Sequence, residues 1–259
     1  MNPVDLPLPV VRPSAAEVDT ESLEQDLRAR VDGEVRFDAG TRAAYSTDGS
    51  NYRQVPIGVV IPRTVEAAEE AVAVCRKHDV PLLSRGGGTS LAGECCNTAV
   101  VLDWSKYCNR LLSVDAENRR CVVEPGIVLD DLNRQLAEYG LQYGPRPATH
   151  PNCTIGGMIG NNSCGSTAQA YGKVVDNLHR LQVLTYDGTR MWVGRTDTGE
   201  LERLMSGEGR QAQLYRGWWP CGTGTPISCA NASPTSPAGC PATTWTRSCP
   251  STASTWPAC

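Results

Sequence analysis

The chain has 259 residues, 20% of them charged, and a net charge of -4. That length accommodates one large domain or two small ones, and the acidic balance argues against a nucleic-acid partner. Mean hydropathy is -0.31, no apolar run approaches the ~20 residues a membrane helix needs, and the N-terminus lacks a basic region before an apolar stretch, so neither a membrane span nor a signal peptide is expected and the expected location is the cytoplasm.

Residues 17–31 carry Val18, Leu23, Leu27 and Val31 at near-helical spacing and predict a helix. GVVIP at 58–62 is short, apolar and closed by proline, which suits a buried strand. Thr64 is placed to cap a helix over VEAAEEAVAVCRKHD, with Val65, Ala68, Val72 and Cys75 on the apolar face. Lys77 and His78 fall in its last turn, where positive charge is favoured. Strands at 80–83 and 99–102 complete a β-α-β-β unit with a small parallel sheet. Two further β runs, 110–114 and 119–124, flank an Asp-Ala-Glu-Asn turn. Residues 128–139 are amphipathic, with Leu129, Leu132 and Leu136 on one side. Residues 178–186 alternate, Asp187-Gly188 is a hairpin signal, and 190–193 returns. One last helix is expected from Gly199 towards Tyr215.

The composition changes abruptly near residue 217. Only Arg247 is charged after Arg216, and residues 221–259 hold 20 Ser, Thr and Pro with five of the twelve cysteines. Such a segment has too little apolar mass to offset the entropy of ordering, so 218–259 is expected to be a disordered tail. The other seven cysteines show no C-x-x-C spacing, which fits neither a zinc site nor a disulfide framework, and no metal site is expected. With 21 Arg, three Lys and one Phe, the chain bears the mark of a GC-rich gene. Joining the third base of each codon to the next two from Gly217 onward, with suitable synonymous choices, restores charge, helical periodicity and the string SGYNLD. The tail therefore reads as an out-of-frame product; the alternative is a genuine low-complexity segment.

Two glycine-rich segments carry the chemistry. The first, Ser84-Arg85-Gly86-Gly87-Gly88-Thr89-Ser90-Leu91-Ala92-Gly93, follows a strand. Adjacent glycines let successive N–H groups face one concavity, a nest for an anion such as phosphate. Thr89 and Ser90 add hydroxyls, and Arg85 is positioned to add charge. The pattern is neither a P-loop nor the G-x-G-x-x-G of a dinucleotide helix. The second segment, Thr154 to Gly165, follows Gly144-Pro145-Arg146-Pro147; Gly156 and Gly157 permit close backbone approach, and Asn161 and Asn162 offer side-chain amides. Two such loops suit the opposite ends of a dinucleotide.

IPRTVEAAEEAVAVCRKHDVPLLSRGGGTSLAG, VVEPGIVLDDLNRQLAEYGLQYGP, CTIGGMIGNNSCG and YGKVVDNL together resemble the FAD-binding domain of the vanillyl-alcohol oxidase/p-cresol methylhydroxylase type. Within that group the chain is most similar to the FAD-linked D-2-hydroxyacid dehydrogenases: glycolate oxidase flavin subunits, D-lactate dehydrogenases and D-2-hydroxyglutarate dehydrogenase-like proteins. The resemblance covers residues 36–216, and SGYNLD is similar to a stretch that follows this domain in the family. It implies an α+β fold of two subdomains, a small parallel sheet and a larger, mainly antiparallel one with flanking helices. Residues 1–35 would form an N-terminal helical segment, 36–198 the FAD domain, and 199–217 the start of a helix leading to an absent cap domain. By resemblance, Arg85, Gly86, Gly87, Gly88, Thr89, Ser90 and Gly93 cradle the FAD pyrophosphate. Pro147, Thr154, Gly156, Gly157, Asn161, Asn162 and Gly165 line the flavin and ribityl side, and a backbone contact comes from near Val183. The first loop holds no His, so FAD is expected to bind non-covalently; an iron–sulfur cluster belongs only to longer relatives. Arg146 stands where many relatives have Asp. The implied reaction is hydride transfer from a D-2-hydroxy acid to flavin, with a separate electron acceptor. The groups that hold the substrate belong largely to the cap, so no catalytic base is assigned; His150 is a candidate to face the flavin. The contrasting expectation is a non-catalytic flavin-binding module or pseudogene product.

Overall fold

A computed structural model describes residues 18–223. The chain divides into two units, one comprising residues up to Leu112 with Val123–Ile127, the other Ser113–Val122 with the residues from Val128 onward.

The first unit contains α1 (Thr20–Arg30), β1 (Gly33–Arg36), α2 (Ala39–Ala44), β2 (Gly58–Pro62), α3 (Val65–Lys77), β3 (Leu82–Arg85) and β4 (Val100–Asp103). The sheet order is β1-β2-β4-β3; β2 and β3 run parallel to β4, and β1 is antiparallel to β2. The parallel core matches the expected β-α-β-β unit. The antiparallel edge β1 does not: GEVR holds one apolar residue, Val35, too little to signal a strand before β2 offers it a partner. The domain boundary expected at 35/36 falls inside β1. Both faces of the central strands are covered. Val60, Val100 and Leu102 pack with Leu23 and Leu27 of α1 and Ala68, Ala71 and Cys75 of α3. Val59, Ile61 and Val101 face the other way, towards Tyr45 and Tyr107. An 11-residue helix such as α1 is marginal alone; burying Leu23 and Leu27 completely, at about 1.5–3 kcal/mol per side chain, holds it. Thr64 caps α3 as expected, accepting the Ala67 N–H at 3.1 Å.

β5 (Leu111–Asp115) and β6 (Arg120–Val123) form a two-stranded ribbon that the division crosses. At its base in the first unit, buried Glu124 accepts from the Arg110 N–H and guanidinium at 2.8–3.1 Å. Burial pushes this carboxyl up, but the Arg110 contacts outweigh it and hold the group below its ordinary range.

The second unit contains α4 (Leu129–Leu136) with a 3-10 turn at Ala137–Tyr139, then α5 (Ile155–Gly160), α6 (Ala168–Tyr171) and a 3-10 turn at Val174–Asn177. It continues with β7 (Arg180–Leu184), β8 (Arg190–Gly194), α7 (Thr198–Ser206) and α8 (Gly209–Thr223). Leu129, Leu132 and Leu136 are buried as the periodicity predicts. β7 and β8 are antiparallel, with Val183 opposite Met191. Among the described residues the antiparallel strands of this unit form two-stranded ribbons, not the larger sheet expected. The single last helix is instead two. Gly207 is extended and Gly209 has φ +89, a break that an apolar periodicity reads straight across. α8 continues six residues past the expected end of order at 217; the rest of the tail lies outside the described residues.

Candidate functional site

The first glycine-rich segment leaves the carboxyl end of β3, the end of a parallel sheet at which ligands bind in open α/β folds. Among the described residues, the backbone N–H groups from Gly86 through Thr89 donate to no protein atom, while the Ser90 N–H is directed at the Cys95 sulfur. Backbone donors seldom stay unpaired without water or a ligand to receive them, and a run of consecutive free donors is the cradle an anion needs. Gly88 has φ +65, and a Cβ on it would meet the Arg85 guanidinium at 2.6 Å. Ser90, buried, does not offer a spare hydroxyl. It donates to Glu94 at 3.0 Å and accepts from the Ala92 and Glu94 N–H groups, closing the end of the loop.

Residues 45–53, between α2 and β2, fasten this loop, and the sequence reading assigned them no role. The Gly49 N–H donates to the Gly88 carbonyl at 3.0 Å. Asp48 accepts the Cys95 N–H at 3.2 Å and is itself held by Ser50. A Cβ on Gly93 would strike Tyr52 at 2.7 Å. Arg85 points into this strap, donating to the carbonyls of Tyr45, Thr47 and Cys95 at 3.3, 2.9 and 2.9 Å. Its guanidinium lies 5.1 Å over the Tyr45 ring. The Tyr45 hydroxyl donates to buried Asp103, at the carboxyl end of β4, at 2.5 Å; burial and then this contact push the phenol up. The one available signal was compositional: YSTDGSNYR is dense in turn formers immediately before a buried strand.

The second segment is less a loop than expected. Thr154, almost fully buried, caps α5, so Gly156 and Gly157 lie inside a short helix. The Leu129 N–H at the start of α4 donates to the Cys153 carbonyl at 3.1 Å, which supplies the cap that Val128 lacks. Asn161 ends α5 and is exposed. Asn162 sits at φ +44, and its side-chain oxygen accepts the Val175 N–H at 3.0 Å, so that oxygen is occupied by the turn. Arg146-Pro147 lies directly against Gly165: a Cβ there would fall 1.8 Å from the Arg146 carbonyl oxygen. Thr167 adds to this brace, accepting the Arg146 N–H at 3.1 Å and donating to the Gly144 carbonyl at 2.8 Å. Within this unit, Pro147 and Gly165 are therefore brought together, while Val183 lies mid-strand in β7. His150 is held by Asp130 at 2.8 Å, with the Arg146 guanidinium 3.3 Å from the ring.

A hollow of about 310 Å³ in the second unit is lined by Arg180, Arg190, Arg195 and Arg203 with Trp192 and Tyr215, and by none of the expected cofactor-contacting residues. Cys95 and Cys96 are separate thiols, both raised by burial. Among the described residues, no group of three His, Cys, Asp or Glu converges to hold a metal, and no helix is long and apolar enough to cross a membrane.

Residues 56–194, which include both glycine-rich segments, match the model of the FAD-binding domain family. The chain belongs to that family. It is 31% identical over 212 residues to a D-2-hydroxyglutarate dehydrogenase of Pseudomonas putida, covering 81% of this chain and 21% of that protein. It is 33% identical over 193 residues to glycolate oxidase subunit GlcD of Bacillus subtilis, covering 73% and 40%. The FAD-binding chain thus spans between about a fifth and two fifths of the length of these curated relatives. An alkyldihydroxyacetonephosphate synthase shares the fold, with a TM-score of 0.59 and 21% identity over 67% of this chain and 38% of that one.

Proposed function

We propose that the chain is the flavin-binding part of a FAD-dependent dehydrogenase that oxidises a D-2-hydroxy acid and passes the electrons to a separate acceptor in the cytoplasm. The run of free N–H groups from Gly86 to Thr89, inside a FAD-binding family match, is the observation that carries this reading. The N–H groups of Gly86, Gly87, Gly88 and Thr89 hold the pyrophosphate, framed by Arg85, Ser90 and Gly93. Pro147, Thr154, Gly156, Gly157, Asn161, Asn162, Gly165 and the backbone near Val183 contact the flavin and ribityl portions. FAD is held without a covalent bond, since residues 84–93 contain no His. When bound, it supplies the electron sink for oxidation of the carbon that bears the hydroxyl. The relatives named for D-2-hydroxyglutarate and glycolate support the substrate class.

Titrating FAD into the purified chain, followed by flavin fluorescence and thermal melting, tests the binding claim. Saturation at 100 times the dissociation constant should stabilise the fold by about 2.7 kcal/mol. A folded chain that neither quenches flavin nor gains stability overturns the reading. Substrate turnover is tested by dye reduction with D-2-hydroxyglutarate, glycolate and D-lactate. The 259-residue chain is compared with a protein whose frame continues through SGYNLD. Turnover is expected only from the latter, because orienting the substrate supplies much of the rate and the groups that hold the substrate are expected largely in the cap. Equal turnover from both would overturn that assignment and make His150 the first residue to replace. FAD binding without turnover in either would favour a flavin-binding module.

A further inference from the structure

We infer that Arg85 governs FAD affinity from behind the cradle, as a positioning residue and not as a phosphate ligand: its guanidinium ties the glycine loop to the strap at residues 45–53 and so presets the row of free N–H groups. This rests on the FAD-binding reading above. The sequence places an arginine next to three glycines, which by itself suggests a cation aimed at phosphate. The side chain goes the other way. Two of its nitrogens donate to three main-chain carbonyls, two in the strap (Tyr45, Thr47) and one beyond the loop (Cys95). The space it occupies is the space a Cβ on Gly88 would fill. Gly88 therefore serves two ends at one position: the φ of +65 that turns the chain, and room for the guanidinium underneath.

The strap closes the arrangement from its own side, through the Gly49 N–H to the Gly88 carbonyl and the Cys95 N–H to Asp48. Tyr45 stacks on the guanidinium and is anchored in turn by Asp103. A loop rich in glycine loses much conformational entropy when it orders. Fastened before the ligand arrives, it loses less on binding, which is the affinity gain of preorganisation. Arginine is required because its planar fork reaches several acceptors at once, whereas lysine offers one point charge.

The test separates charge from geometry. Arg85→Lys keeps the charge and loses the fork; Arg85→Gln loses both. FAD titrations on the full chain should show both variants weakened about tenfold or more, with Lys rescuing little over Gln. Melting of the unliganded variants reports whether the fold survives. Should either fail to fold, Gly49→Ala takes its place. It changes no charge, and its Cβ meets the Ser90 carbonyl oxygen at 3.0 Å and the Thr89 oxygen at 3.5 Å, so it presses on the loop from the strap. A several-fold loss of FAD affinity is expected there. Wild-type affinity in Arg85→Lys, or in Gly49→Ala, overturns the inference and leaves FAD binding intact. A folded wild-type chain that binds no FAD overturns both.

Discussion

The two glycine-rich segments have similar composition and opposite physics. Residues 86–93 are irregular, keep the N–H groups of Gly86 to Thr89 unpaired and are shaped from outside by Arg85 and the 45–53 strap. Residues 154–165 are largely regular: Thr154 caps a helix, Asn162 makes the turn, and Gly165 admits the backbone at Arg146. In the first segment glycine leaves main-chain N–H groups open. In the second it lets the main chain pack against itself. A glycine count cannot tell these uses apart, because both ask only that a Cβ be missing.

The largest effect that sharpens this contrast is expected from Gly87→Asp. It sets a carboxylate beside the free N–H groups, where the FAD pyrophosphate is proposed to lie. Like charges about 4 Å apart repel by ~4 kcal/mol at an effective dielectric of ~20, so FAD should weaken on the order of 100-fold or more. The unliganded melting temperature should hardly move, since Gly87 is exposed. Unchanged FAD affinity would mean that this row of donors faces no phosphate.

A smaller effect, on stability, is expected in the second segment. Gly165→Ala forces a methyl against backbone at 1.8 Å and should cost about 1–3 kcal/mol, as overpacking does. Gly160→Ala, with nothing within 4 Å of its Cβ, should be neutral or stabilise by up to ~1 kcal/mol, because alanine loses less entropy in a helix. Thermal melts of the pair decide it. Equal losses at both sites would break the distinction between close approach and simple flexibility.

The smallest effect lies outside both segments and serves as their control. The Glu124 carboxyl is held below its ordinary range by Arg110 despite burial. Its stabilisation is therefore present above the ordinary carboxylate value and is lost as pH falls through the lower value of the folded state. Glu124→Gln should flatten the acid limb of a melting-temperature profile. The loss should stay below ~1 kcal/mol because the Arg110 side of the pair is open to water. FAD affinity at neutral pH should stay as in wild type. An acid limb of unchanged slope would remove Glu124 from the account.

Elements whose signal is local were legible. β2 was readable from GVVIP, α3 from its period and Thr64, and the β7–β8 hairpin from Asp187-Gly188. β1 was not, since four residues with one apolar side chain become a strand only by pairing. α5 was not, since IGGMIG has poor helix propensity and depends on Thr154 and the burial of Ile155 and Met158. The break between α7 and α8 was passed over because two glycines did not interrupt the apolar period strongly enough.

For the candidate site, the sequence alone determined which main-chain stretch is free of Cβ crowding, because three consecutive glycines follow a strand there. It also determined the family, through the order of two motifs that each carry their own constraint. Only the tertiary structure decided where the side chains beside those glycines go. Arg85 finds carbonyl acceptors about 40 residues earlier in the chain, and the Asn162 oxygen finds Val175 13 residues later. A buried or half-buried polar group settles on whichever partner the fold brings within hydrogen-bond reach, and that distance is set by the packing of β3, β4 and the strap, not by neighbours in the chain.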